Sequence, residues 1–107
     1  MSESPDTPAA EPARDPAEVI ATAVLATPGV EALHPGAFGE VATYLPGRRV
    51  VGVRLRDPGC EVHVTLAWGA PVLATSDSVR AAVAALVTGG PIDVVVEDVA
   101  NPAAGSA

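Results

Sequence analysis

The sequence predicts an α+β fold: two helices lie on one face of a mixed, mostly antiparallel sheet, in the order α-β-β-β-β-α-β with a short first strand. Three observations lead there. Residues 61–69 read Glu-Val-His-Val-Thr-Leu-Ala-Trp-Gly. An extended strand sends alternate side chains to opposite faces, so Val62, Val64, Leu66 and Trp68 line one side and Glu61, His63, Thr65 and Ala67 the other. Two further stretches carry apolar residues at helical spacing. The remaining strands are each apolar on one side only, so a single layer of helices is enough to cover the sheet.

Residues 1–14 consist mainly of Pro, Ala, Ser, Thr and acids. That composition buries too little apolar surface to offset the entropy of ordering, and a disordered acidic tail is expected. Structure is expected to begin at Asp15-Pro16-Ala17-Glu18, where an acid suited to an N-cap precedes a proline at the first helical position and a glutamate at the third. Val19, Ile20, Ala23, Val24 and Thr27 then form an apolar stripe, and Pro28-Gly29 ends the helix. Residues 30–33 read as a short extended piece closed by Pro35-Gly36, with Phe38 packed under the following loop.

Val41, Thr43 and Leu45 alternate with Ala42 and Tyr44, and Pro46-Gly47 has the chemistry of a type II turn. Arg48-Arg49 reads as a solvated hairpin tip. The next strand places Val51, Val53 and Leu55 on one face and Gly52, Arg54 and Arg56 on the other. Asp57-Pro58-Gly59 supplies another turn, so residues 41–68 are expected to form a three-stranded antiparallel meander. After Gly69, Pro71 fits the first turn of a second helix, with Val72, Val79, Val83 and Leu86 as its stripe. A shorter helix capped by Thr75, Ser76 or Asp77 fits as well. Gly89-Gly90-Pro91 stops that helix. Residues 92–99 are the last strand, with Ile92, Val94 and Val96 on one side and Asp93, Val95 and Glu97 on the other. A crossover through a helix makes it parallel to the strand at residue 61. The folded domain is thus expected over residues 15–100, with a flexible tail at 101–107.

The 107 residues are 49% hydrophobic but only 3% aromatic, so Val, Leu, Ile and Ala must fill the core. A domain of this size buries only about 60% of its unfolded surface, which makes self-association an attractive source of stability. The formal charge is −7, there is no lysine, and the arginines form no stripe. Nucleic acid is excluded as a partner on that ground, since phosphate binding draws its affinity from clustered cations. The longest apolar run, residues 19–26, is far short of the roughly 18 residues that span a bilayer, so no direct membrane insertion is expected. A single cysteine and an N-terminus without a positive flank or apolar run point to the cytoplasm.

No catalytic centre, cofactor site or metal site is predicted. His34, His63 and Cys60 lack ligand spacing. Cys60 lies near Arg56, which favours a thiolate modestly, but no histidine and acid can be assigned to orient it. Glu97 and Asp98 are adjacent on a strand and face opposite ways, so they cannot act together from one side. What remains is the polar side of the sheet. Arg54, Arg56, Glu61, His63, Thr65, Asp93 and Glu97 form a candidate interaction face.

Ile20-Ala21, Ala23, Pro28-Gly29-Val30, residues 61–69, Val79, Val83 and the closing Ile-Asp-Val-Val-Val-Glu-Asp-Val at 92–99 together resemble the alkaline shock protein family, also called the Gls general-stress family. The likeness spans about three quarters of the chain, and Trp68 stands where the family usually has a tyrosine. The resemblance implies a non-enzymatic scaffold linked to cell-envelope stress. Such a protein self-assembles and is recruited to the inner face of the membrane by a separate anchor protein or a homologue. The alternative reading is a small regulatory or accessory subunit of an enzyme, such as a small-molecule or lipid kinase.

Overall fold

The computed structural model describes residues 15–101, so the tail expected at 1–14 and residues 102–107 lie outside the described residues. Helix α1 (Pro16–Leu25) starts where its capping signal stands. Asp15 is extended, and its carboxylate accepts a 2.9 Å hydrogen bond from the Ala17 amide, satisfying a donor that has no partner inside the helix. Ala17, Ile20, Val24 and Thr27 are buried along one stripe.

Strand β5 (Cys60–Leu66) is the spine of the main sheet. Its even-numbered residues, Cys60, Val62, Val64 and Leu66, are fully buried against Ile20 and Val24 of α1 and Val79 and Val83 of α2 (Val72–Ala84). Both helices therefore share one apolar core on one side of the sheet. Strand β6 (Ile92–Val99) runs parallel to β5 along one edge, as a crossover through α2 requires.

The opposite edge of β5 differs from the expected meander. Strand β1 (Val30–Leu33) pairs antiparallel with its C-terminal half and β4 (Val53–Leu55) with its N-terminal half, so the two lie in line along a single edge. Between them the chain leaves the sheet as a separate hairpin of β2 (Ala42–Leu45) and β3 (Arg48–Val51). The strand expected across residues 51–55 is broken at Gly52. This residue has φ +82°, and a Cβ there would lie 2.8 Å from Leu33 Cβ and 3.0 Å from the His63 carbonyl. Only glycine combines that dihedral with that contact. At this hinge the Gly52 amide donates to the Val41 carbonyl while its own carbonyl accepts from His63, each at 2.9 Å.

Three local expectations are corrected. Helix α2 begins after Pro71 with no side-chain cap, and its buried stripe is Thr75, Val79 and Val83, while Val72 and Leu86 are exposed. Thr75 is drawn in because α2 passes close to Gly29, where a Cβ would stand 2.9 Å from the Thr75 hydroxyl. Strand β5 ends at Leu66, so Trp68 sits in the turn and is 67% exposed instead of closing the apolar face. Phe38 is 92% exposed, because the loop it was expected to pack beneath is held by its own backbone, through Gly39 to Gly36 and Val41 to Pro35.

Candidate functional site

The side of the sheet away from the helices is built by three strands in register. Antiparallel pairing sets Arg54 of β4 opposite Glu61 of β5, and parallel pairing sets Asp93 and Val95 of β6 beside Glu61 and His63. The period of two then brings Arg56 and Glu97 to the same side.

His63 is the centre of the resulting cluster. Its Nδ1 lies 2.6 Å from Glu97 Oε2, and its Nε2 contacts Glu61 Oε2. The other oxygen of Glu61 takes the Arg56 guanidinium and lies 3.6 Å from Arg54 Nη1. Arg54 also donates from Nη2 to the Glu40 backbone carbonyl at 3.0 Å, which ties the loop before β2 to the sheet. His63 is only 7% exposed although no helix covers it. Its neighbours on the face close over it.

The hydrogen bonds from His63 and then Arg56 stabilise the Glu61 carboxylate and hold it below the ordinary carboxylate range. Five of the seven residues expected on the interaction face, Arg54, Arg56, Glu61, His63 and Glu97, thus form one network. Thr65 and Asp93 lie on the same side without joining it. Among the described residues neither makes an ion pair, and Asp93 is exposed to water. Thr65 meets Asp98 where the β5–β6 register shifts by one residue. That shift leaves Asp98 exposed, with its carboxylate accepting from the Val99 amide at 2.8 Å.

The remaining reactive groups are placed elsewhere. Cys60 is buried in the core on the helix side, and burial first and the Asp93 charge second push its thiol up, against the mild thiolate preference expected from Arg56. His34 accepts the Gly36 amide through Nδ1 at 2.9 Å. Among the described residues no group of three or more His, Cys, Asp or Glu is arranged to hold a metal ion, and no helix is long and apolar enough to cross a membrane.

Two features escaped the sequence reading. Glu40 joins the face through its backbone carbonyl, an acceptor that every residue carries and no side-chain pattern can flag. An apolar groove of about 410 Å³ opens between Pro16 and Val19 of α1, Leu55, and Leu86 and Val87 after α2, with Arg56 at its rim. Leu55 and Leu86, both expected on apolar stripes, are instead exposed at this groove.

Compared with protein-family models, with curated proteins and with solved structures, the chain matches none.

Proposed function

We propose that this protein is a non-enzymatic interaction module of the alkaline-shock, general-stress type, docking through the polar side of its sheet to a membrane-anchored partner. The observation that carries the reading is the two-sidedness of the sheet. One side is consumed by both helices, whereas the other carries a hydrogen-bonded network of arginines, acids and His63 from three strands, edged by the Glu40 carbonyl. The side chains of that network are held by one another, which lowers the entropy lost when a partner settles on it. A network of this kind contributes specificity more than raw affinity, since a partner must match its pattern of signs. The resemblance to the alkaline shock family supports a partner at the membrane.

The test is capture from native membranes and cytosol by the immobilised full chain, in parallel with Thr65→Arg. That variant adds bulk and charge at a face position outside the hydrogen-bonded network. The expected result is a membrane-anchored protein retained by the wild type and lost in the variant. A clean monomer that retains nothing from either fraction overturns the proposal, and stoichiometric recovery of an enzyme transfers the assignment to the accessory-subunit reading.

A further inference from the structure

The outer edge of β6 is a second surface, with a different mode of recognition. Strand β6 is paired with β5 on one side and, among the described residues, with nothing on the other. It is also the longest strand among the described residues, at eight residues. The direction of its backbone groups follows from one hydrogen bond. Cys60 donates to the Pro91 carbonyl at 3.0 Å, and in a parallel ladder alternate residues bond to the same neighbour. Asp93 and Val95 therefore turn their amides and carbonyls toward β5, while Ile92, Val94 and Val96 turn theirs outward. The Ile92 carbonyl receives the Arg80 guanidinium at 3.4 Å, which agrees with that direction. Val94 and Val96 are left as an open template for another strand.

The side chains select the occupant. The strand carries Asp93, Glu97 and Asp98 and no basic residue. A second copy added antiparallel, in the symmetric register that uses Val94 and Val96 of both chains, would set Asp93 directly opposite Glu97, and facing like charges destabilise a strand pair. An extended segment with cations on one side meets those acids favourably and leaves its apolar side beside Val94 and Val96.

We propose that the β6 edge is a strand-addition site for an extended, basic segment with arginine or lysine at alternate positions and apolar residues between them. The inference goes beyond the docking reading of the polar face, with which the edge shares Asp93 and Glu97 but not the backbone groups that would hold its occupant.

The probe is a synthetic peptide alternating lysine and valine over the length of β6, titrated calorimetrically into the full chain, with amide hydrogen exchange read on the complex. Binding with slowed exchange at the Val94 and Val96 amides is expected. Val94→Pro removes an outward amide without touching the β5 ladder, and should weaken binding by at least about tenfold. Asp93→Lys, which alters no backbone group, should weaken it as well and decides the matter should the proline variant fail to fold.

Equal binding of a peptide with the same composition but clustered lysines overturns the proposal, as does undiminished binding by Val94→Pro. Concentration-dependent dimers of the wild type that are lost in Val94→Pro would assign the edge to a second copy instead. Because Val94→Pro leaves the charged face intact, loss of the peptide with retention of the membrane partner would separate edge from face. Failure of the membrane capture leaves the edge result standing.

Discussion

His63 Nδ1 stands 2.6 Å from Glu97 Oε2, joining residues 34 apart in sequence across the parallel β5–β6 pair. Glu61 holds the other ring nitrogen. With one proton the imidazole donates to one carboxylate; with two it donates to both. The contact fastens β6 to the sheet on its wet side, opposite the clamp that the helices apply through Val62, Val64 and Val94.

Removing the ring should therefore cost more than a surface substitution. His63→Ala leaves the half-buried carboxylates of Glu61 and Glu97 without their shared donor, and should destabilise the fold by about 2 kcal/mol. Urea denaturation measures this. A midpoint equal to wild type would mean that the network contributes nothing.

Acid sensitivity follows from Glu61. Its carboxyl is held below the ordinary value of about 4.5 by the hydrogen bonds from His63 and Arg56. A group with a depressed folded pKa contributes stability that is present above its unfolded pKa and lost as the pH falls through the folded one. Stability should decline as the medium is acidified below about pH 4.5, and the decline should be shallower in Glu61→Gln. Chemical denaturation at a series of pH values compares the slopes, and identical slopes would refute the assignment.

Gly52 should tolerate no side chain. Gly52→Ala combines φ +82° with a Cβ 2.8 Å from Leu33 Cβ and 3.0 Å from a backbone oxygen. The left-handed conformation alone costs roughly 1–2 kcal/mol, and the contact adds to it. A lowered thermal midpoint, with loss of hydrogen-exchange protection at the His63 amide that Gly52 receives, is the expected result.

Cys60 should be chemically silent in the native protein. Its side chain is fully buried and its thiol is pushed up by burial and by Asp93, so the reactive thiolate is scarce. Alkylation by iodoacetamide, followed by mass spectrometry, should proceed at the rate of unfolding and accelerate with urea. Rapid stoichiometric labelling without denaturant would contradict the buried placement.

The structure agrees with the sequence reading where a signal was local and had one cause. Asp15-Pro16-Ala17-Glu18 starts α1 because Asp15 accepts from the free Ala17 amide, Pro16 fits the first helical position and Glu18 adds an acid to the first turn. The alternation in β5 separates core from solvent at every position from Cys60 to Leu66 except His63, which is shielded by its neighbours on the face. Period two put Arg54, Arg56, Glu61, His63 and Glu97 on one side of their strands, as the spacing predicts, whereas their meeting is the work of the strand pairing. The failures have other causes. Trp68 was placed on the apolar face by carrying the alternation of β5 past Leu66, where the strand ends, and Phe38 was placed beneath a loop that is held by its own backbone hydrogen bonds, so both side chains stand exposed. Thr75 was weighed as a cap on its chemistry, yet the close approach of α2 to Gly29 places it in the core.

Alternation and capping, which act between residues a few positions apart, determined that this chain forms two helices and one-sided strands, and hence which side of the sheet would be dry. The split of β3 from β4 at Gly52, the alignment of β1 with β4 along one edge of β5, and the pairing of His63 with Glu97 were decided only in three dimensions. Each depends on a close approach between segments distant in sequence. Such an approach is set by which elements share the edges of β5, a choice that no local spacing encodes.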